Sequence, residues 1–411
     1  MAAVSYEDLH RQTAAQIEAE RSAALDLLGP AAPSIRAAVA RLLEHRTFKY
    51  PLSVLPLIVH AAETGTVRPA VPLAVVHELW WTAACCLDDR ADSQGTCTAG
   101  DFDESAALLA TFVAGSSLPL LVVQSERIPP ALRPVLSAEI LKCCVAAAEG
   151  QLKDLHGRAA TATRASVIET YLGKSGAPFS MITVMAARLA GADEPRVALW
   201  REFGDVFGVL WQLFNDQEDI LSGRDEDLLN GTVTHLFACA VEEAAPDATE
   251  HVVALHRAAS TSAHARAELS GLLRTPAVLR RLEKDIDEFR DRAHRILDEL
   301  GGHETYLPVL CDLVDQSSRM LLRPGQPGPC RHIPACPATP CTLPHCLDGV
   351  GGAPTRRTGP GPEYIQYEGQ GPALPRPSAG GPPEHAPDAA RPAPRADDGN
   401  VTTGPSGAVS P

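Results

Sequence analysis

Residues 207–219 read FGVLWQLFNDQED, an apolar run with helical spacing that ends in acidic residues. Residues 80–92 read WWTAACCLDDRAD and show the same pattern, an apolar helical run followed by carboxylates. One acidic pentad is common on protein surfaces, but two such pentads at the ends of two apolar helices are improbable by chance. The two stretches therefore predict helices whose acidic ends meet at the mouth of one cavity.

The spacing of these carboxylates indicates cation binding. In a helix, Asp88 and Asp92 lie one turn apart on the same face, so their charges repel one another. Hard divalent cations relieve this repulsion, and magnesium is typically held by protein carboxylates together with substrate phosphates. The pattern predicts a site where bridging magnesium ions hold a diphosphate.

On both sides of these two stretches, apolar residues recur at spacings of three and four over residues 6–322. Strand signals are nearly absent, and no internal repeat of fixed period is found. The clearest helical runs are 35–43, 71–87, 131–155, 165–189, 197–221 and 278–300. These patterns predict an all-α fold with one catalytic domain over residues 1–322.

The composition changes after residue 322. Residues 323–411 contain 20 of the 35 prolines, mixed with glycine, alanine and serine. Such a segment buries too little apolar surface to offset its ordering entropy, so we predict a disordered tail. Its cysteines and histidines have spacings that fit no zinc pattern, which favours a cysteine-bearing linker.

Charge limits the classes of partner. The 411 residues include 51 acidic and 36 basic side chains, giving a formal net charge of -15. That charge argues against non-specific binding to nucleic acid or anionic membranes. No run of 18 apolar residues and no secretion signal are found, so we expect no membrane span and a cytoplasmic location. The adjacent pairs Cys85-Cys86 and Cys143-Cys144 are predicted to be reduced packing residues.

Smaller motifs complete a pattern that resembles the trans-isoprenyl diphosphate synthase family over about residues 37–321. They are Glu78 ten residues before Asp88, GQLKDL at 150–155, Lys174-Ser175, the stretch 207–219 and DLLNGTVT at 227–234. The resemblance implies an isoprenoid synthase-type helical bundle around a deep central cavity, a prenyl diphosphate substrate, three Mg²⁺ ions and, usually, a homodimer.

The resemblance also implies roles for individual residues. The implied metal-binding, and hence catalytic, side chains are Asp88, Asp89, Asp92, Asp216 and Asp219, with Asn215 offering a carbonyl oxygen where the family has a carboxylate. Lys174 and Gln212 are implied to hold the diphosphate of the allylic substrate.

The chain departs from the family where a second substrate, isopentenyl diphosphate, would bind. Thr47, Phe48 and Tyr50 occupy basic positions of the family's loop, Trp81 replaces a histidine, and residues 92–98 contain no arginine pair. Thr232 also replaces a lysine. Each charge-assisted hydrogen bond contributes on the order of 1.5–3 kcal/mol, so losing several predicts poor binding of this second substrate.

Three functions are consistent with these residues. The leading prediction is a terpene synthase, in which aromatic faces stabilise the allylic cation; the candidate aromatic residues are Trp80, Trp81, Phe207, Trp211 and Phe214. The alternative is a prenyltransferase with a rearranged second site that uses Arg46, Lys49 and Arg90. The third is a non-catalytic partner subunit, which retention of both acidic motifs argues against.

Two residues predict the length of the substrate. By the family pattern, positions five and eight residues before Asp88 face the prenyl tail, and Ala83 and Trp80 occupy them. A tail would pass the small Ala83 and stop near the large Trp80. This predicts a substrate of about 15 to 20 carbons.

Overall fold

The computed structural model describes residues 5–45, 52–91 and 103–324. Across these ranges the regular secondary structure is helical, without β-strands. The all-α fold class is therefore confirmed. The loop positions Arg46, Thr47, Phe48, Lys49 and Tyr50, the ligand candidate Asp92, and the predicted tail from residue 325 onward lie outside the described residues.

The described residues form sixteen α-helices. In chain order they are α1 (Tyr6–Asp26), α2 (Pro33–His45), α3 (Leu55–Thr64), α4 (Val71–Ala91), α5 (Glu104–Phe112), α6 (Leu118–Gln124), α7 (Arg133–Leu155), α8 (Arg164–Tyr171), α9 (Ala177–Leu189), α10 (Glu194–Ser222), α11 (Glu226–Asn230), α12 (His235–Glu243), α13 (Thr249–Ala259), α14 (Ala263–Leu273), α15 (Pro276–Leu300) and α16 (Leu307–Ser317). Two π-helical turns, Val113–Ser117 and Leu172–Gly176, join α5 to α6 and α8 to α9.

The longest of these helices is α10, which lies at the centre of the bundle. The Asp193 side chain caps its first turn by accepting from the Arg196 amide, and Gly223 ends it with a φ of 70°, a left-handed value that favours glycine. Its buried face packs chiefly against α9 and α15. This packing holds the second acidic stretch in the core rather than at a free helix end.

A buried glutamine ties the C-terminal end of the described chain to α10. The Gln217 side chain is 0% exposed. Its amide donates to the Arg319 carbonyl at 3.3 Å, and its carbonyl accepts from the Leu321 amide at 2.8 Å. The segment that follows α16 is therefore fixed to the helix that carries the second acidic motif.

Two helical stretches, Arg68–Ala91 and Glu104–Gln124, are long and apolar enough to cross a membrane by length and composition alone. In the first, 72% of the apolar window is buried inside the bundle, as expected for a core helix. The second is 44% buried and leaves Leu109 and Phe112 exposed. The absence of a membrane span stays a prediction.

The predicted cysteine pairs lie on α4 and α7. No disulfide is formed among the cysteines of the described ranges, and Cys86 and Cys143 are buried. The indole N–H of Trp80 donates to Cys144 Sγ at 3.4 Å. Cys86, Cys143 and Cys144 pack in or against the hydrophobic core, whereas the reduced state of the two pairs stays a prediction.

Candidate active site

The first acidic motif lies in the last turn of α4, where Asp88 and Asp89 are half-buried. Asp88 Oδ1 accepts a hydrogen bond from Gln151 Nε2 at 2.7 Å and pairs with Lys174 Nζ at 3.0 Å. Side chains from two other elements therefore fix the Asp88 carboxylate. Arg90, in the same turn, forms an ion pair of 2.8 Å with Glu104.

Lys174 lies in the π-turn Leu172–Gly176, which interrupts what would otherwise be one continuous helix. π-turns widen a helix by one residue and often occur at functional sites. Here the turn directs the Lys174 amine to Asp154 Oδ2 at 2.7 Å as well as to Asp88. Burial acts to lower the pKa of this amine, but the two carboxylates raise it well above its ordinary value, so the amine stays charged.

Two glycines allow α7 and α10 to approach this turn. A Cβ atom added at Gly150 would lie 2.3 Å from the Lys174 amide nitrogen, and one at Gly208 would lie 2.5 Å from the Ser175 carbonyl oxygen. Both distances are far below any real Cβ contact, so each position requires glycine. The glycines of GQLKDL and FGVLWQLF thus allow the turn with Lys174 and Ser175 to pack closely against α7 and α10.

The second acidic motif contributes Asp216, which is 3% exposed. Its Oδ1 accepts from Gln212 Nε2 at 3.0 Å, and its Oδ2 accepts from the Tyr171 hydroxyl at 2.5 Å. Gln212 is held in turn by Ser175, whose hydroxyl donates to Gln212 Oε1 at 2.7 Å. Burial raises the pKa of Asp216 to about 6, although the hydrogen bonds from Tyr171 and Gln212 oppose that rise.

The other predicted ligands of this motif have different surroundings. Asp219 is buried, and its two oxygens accept from the backbone amides of Glu226 and Asp227 at 3.1 and 3.2 Å. Its carboxylate therefore also orders the start of α11. Asn215 is exposed, unlike Asp216 and Asp219 on the same helix.

Two further carboxylates belong to this cluster and were absent from the predicted set of site residues. Asp154 is held by Lys174, as described above. Burial and the charges of Asp216 and Asp219 raise the pKa of Asp227 well above its ordinary value. Asp154 lies in the GQLKDL motif and Asp227 in DLLNGTVT, so both carried a signal in the sequence. Tyr171 carried none, because only the fold brings it to Asp216.

The donor set fits divalent cations. Asp88 and Asp154 pair with the Lys174 ammonium group. Burial and the charge of Asp154 raise the pKa of Asp216, and burial and the charges of Asp216 and Asp219 raise the pKa of Asp227. Hard oxygen ligands in excess of positive charge are what Mg²⁺ prefers. The carboxylates of both motifs are thus suited to hold magnesium between them.

Aromatic side chains lie on the same helices. Trp81, Phe207 and Trp211 surround Phe179, with ring centroids 5.1, 5.1 and 6.0 Å from the Phe179 ring. Phe207 and Phe179 are buried, whereas Trp81 and Trp211 are partly exposed. A small cavity of about 30 Å³ lies beside them and is lined by Phe207, Trp211 and Phe214, among others. Trp81, Phe207 and Trp211 were predicted from the sequence, whereas Phe179, the centre of this cluster, was not.

The two residues expected to set the substrate length lie elsewhere on α4. Trp80 is 5% exposed and contacts Cys144 of α7 through its indole N–H. Ala83 is 1% exposed and packs against the π-turn Val113–Ser117, where a Cβ added at Gly115 would lie 2.8 Å from Ala83 Cβ. Trp80 and Ala83 thus face α7 and this π-turn, while Trp81 faces α9.

Solved structures of low sequence identity share this fold. A geranylgeranyl pyrophosphate synthetase from Pyrococcus horikoshii Ot3 superposes with a TM-score of 0.62 at 19% identity, covering 77% of this chain and 99% of that one. A decaprenyl diphosphate synthase from Rhodobacter capsulatus gives 0.63 at 19%, covering 76% and 98%. A geranylgeranyl pyrophosphate synthase from Corynebacterium glutamicum, complexed with isoprenyl diphosphate and magnesium, gives 0.62 at 16%, covering 77% and 99%.

No curated protein sequence matches this chain. The polyprenyl synthetase family model, however, matches residues 51–270, which is more than half of the chain and includes both acidic motifs, Lys174 and Gln212. This chain therefore belongs to the polyprenyl synthetase family.

Proposed function

We propose that this protein is a magnesium-dependent prenyltransferase that ionises an allylic prenyl diphosphate and joins the prenyl group to isopentenyl diphosphate. The observation that carries the proposal is the position of Lys174, which pairs with Asp88 of the first motif and Asp154 of α7. The next residue, Ser175, bonds to Gln212 beside Asp216. One turn of chain thus links both acidic motifs, as a shared diphosphate site requires.

The chain's own residues would bind and orient the substrate. Lys174 and Gln212 would donate to diphosphate oxygens. The ligands of three Mg²⁺ ions would be Asp88, Asp89, Asp92, Asn215, Asp216 and Asp219. When bound, magnesium would neutralise the diphosphate as the bond between C1 and oxygen breaks. The ring faces of the aromatic cluster around Phe179 would stabilise the resulting cation.

A second candidate is the terpene synthase function, in which the cation cyclises, loses a proton or takes up water. The observation that favours it is Trp81, which replaces the family's histidine and packs against Phe179. Arg90, a candidate replacement contact for isopentenyl diphosphate, already pairs with Glu104. Family membership favours prenyl transfer over this candidate. It also favours prenyl transfer over a non-catalytic partner subunit, because both acidic motifs are kept.

The length of the substrate is proposed to be about 15 to 20 carbons. This proposal follows the family pattern for Ala83 and Trp80, and the Trp80 ring is buried and fixed by its bond to Cys144. We also propose a homodimer, because α5 and α7 expose large apolar side chains that a partner would cover. These are Leu108, Leu109, Phe112, Leu141 and Val145, each between 46% and 72% exposed.

Substitution of the acidic motifs tests the shared site. Asp89→Ala and Asp216→Ala should each remove nearly all consumption of the allylic diphosphate, because either change takes a ligand from the metal cluster. The helical circular dichroism should be unchanged. Asp298→Ala, which removes an exposed carboxylate of α15, is the matched control and should retain full activity. Full activity in both motif variants would refute the metal assignment.

A further inference from the structure

Tyr171 is a buried residue to which neither the sequence motifs nor the family resemblance gives a role. It ends α8, directly before the π-turn that carries Lys174, and it is 2% exposed. Its hydroxyl donates to Asp216 Oδ2 at 2.5 Å and accepts from the His235 backbone amide at 2.9 Å. The hydroxyl thus connects a predicted metal ligand to the first residue of α12.

The position at the start of α12 strengthens the hydrogen bond from Tyr171. The first amides of a helix lack partners within the helix, and the helix dipole makes that end positive. A phenol oxygen that accepts one of these amides is polarised, so its own O–H becomes a better donor. Tyr171 therefore gives Asp216 a stronger hydrogen bond than an isolated phenol would.

The start of α12 is itself held in place. His235 Nε2 lies 2.8 Å from Asp285 Oδ2, and Arg164 Nη1 lies 2.7 and 2.8 Å from the two Asp285 oxygens. The ligand atoms of His235, Cys239 and Asp285 lie within 4.8 Å of one another, as a metal site would require. The guanidinium already neutralises Asp285, however, so this group is better explained as an anchor for α12.

The bonds to Asp216 differ in kind from those to Asp88. Asp88 is paired with an ammonium group, whereas both oxygens of Asp216 accept from neutral donors, Tyr171 and Gln212. Neutral donors fix the direction of a carboxylate without cancelling its charge. The two bonds therefore hold the remaining lone pairs of Asp216 in one orientation without placing a positive charge beside them.

We propose that Tyr171 is a positioning residue for the second acidic motif, and that its hydroxyl orients Asp216 to bind a divalent cation. The proposal rests on the magnesium-dependent function proposed above. Residues that orient metal ligands typically change metal affinity or activity by 10- to 100-fold when they are removed. Loss of the hydroxyl should therefore weaken cation binding more than it slows turnover at saturating magnesium.

Tyr171→Phe tests this directly, because it removes the hydroxyl and leaves the ring. The first measurement is Mn²⁺ binding in the presence of inorganic diphosphate, followed by electron paramagnetic resonance. The second is the Mg²⁺ concentration that gives half-maximal turnover. The matched control is Thr183→Val, which removes a fully buried hydroxyl that bonds only to backbone carbonyls of Phe179, Ser180 and Trp200.

We expect the Mn²⁺ dissociation constant and the half-saturating Mg²⁺ concentration of Tyr171→Phe to rise about tenfold or more. Thr183→Val should match the wild type in both. Replacement of Tyr171 by 4-aminophenylalanine restores an N–H donor and should recover much of the Mn²⁺ affinity. If the phenylalanine variant does not fold, the affinity of this second variant provides the test. Mn²⁺ binding by the wild type with an unchanged affinity in Tyr171→Phe would overturn this inference alone. A wild type that neither binds Mn²⁺ nor turns over would overturn the proposed function with it.

Discussion

Gly150 shows how one residue can determine the geometry of the site. A methyl group at this position would lie 2.3 Å from the Lys174 amide and 2.6 Å from the Gly173 carbonyl carbon, so α7 and the π-turn would have to separate. We expect Gly150→Ala to destabilise the fold by about 1–3 kcal/mol or more, as overpacking does, and to lose most activity. Thermal melting and turnover measurements check this.

Gly271 provides the matched control. It also lies within a helix, α14, but apart from its chain neighbours and the backbone of that helix no atom of the described residues lies within 4 Å of a Cβ placed there. Gly271→Ala should stabilise the protein by about 0.5–1 kcal/mol or leave it unchanged, because alanine loses less backbone entropy in a helix. Equal melting temperatures for the two variants would show that α7 does not need to approach the π-turn this closely.

At the scale of single residues, the sequence predicted part of the site. The acidic motifs, Lys174 and Gln212 are recognisable from local patterns. The structure pairs Lys174 with Asp88 and Gln212 with Asp216, and Ser175 joins the two pairs. Tyr171 and Phe179 could not be predicted. Each acts through a partner far away in the chain, and a buried tyrosine or phenylalanine in a helix is indistinguishable in sequence from an ordinary core residue.

At the scale of helices, α13 supports the segment that resembles the family's DLxxGKxT motif. His256 of α13 is 4% exposed, and its Nε2 lies 3.0 Å from the Thr232 carbonyl oxygen. Burial lowers the pKa of His256, although the bond to Thr232 opposes this. In the unfolded chain the imidazole has an ordinary pKa of about 6.5, so the unfolded state takes up a proton more readily.

This difference predicts a dependence of stability on pH. The stability contributed by neutral His256 is present above about pH 6.5 and is lost as the pH falls through the lower pKa of the folded state. His256→Gln does not titrate, so the stability advantage of the wild type over this variant should be larger at pH 8 than at pH 5. Urea unfolding at both pH values measures it. An advantage that is equal or larger at pH 5 would contradict the explanation.

The helices themselves were largely predictable from apolar periodicity. The run 71–87 became α4, 197–221 became α10 and 278–300 became α15, each extended by a few residues at one or both ends. The run 165–189 is instead divided into α8, a π-turn and α9. A single extra residue in one turn hardly changes a periodicity averaged over many residues, so the turn that carries Lys174 could not be predicted.

At the scale of the whole molecule, the end of the domain can be tested by truncation. Truncation after Arg323 should leave stability and turnover nearly unchanged, because the shortened protein keeps the backbone hydrogen bonds of Arg319 and Leu321 to the Gln217 side chain. Truncation after Ser318 removes both partners of this buried amide, at a cost of about 1–3 kcal/mol. It also removes buried Leu322, which adds about 1.5–3 kcal/mol. Unfolding measurements on both proteins check this, and equal stability would show that the contact with Gln217 contributes nothing.

The sequence was sufficient to predict the fold class and the family, because both depend on patterns repeated along the chain. It favoured terpene synthesis from the loss of basic residues, whereas membership of the polyprenyl synthetase family favours prenyl transfer. Whether Arg46 and Lys49 take over the lost contacts depends on their placement. The spacing of residues along the sequence does not determine that placement.

Prenyl transfer needs two substrates and terpene synthesis needs one, so product formation with and without isopentenyl diphosphate distinguishes the two reactions. The purified protein and magnesium are given geranyl, farnesyl or geranylgeranyl diphosphate, each with and without labelled isopentenyl diphosphate. A prenyltransferase should place the label in a longer prenyl diphosphate and form little product without isopentenyl diphosphate. Hydrocarbons or terpene alcohols from the allylic diphosphate alone, with no label incorporated, would contradict prenyl transfer and establish the terpene synthase instead.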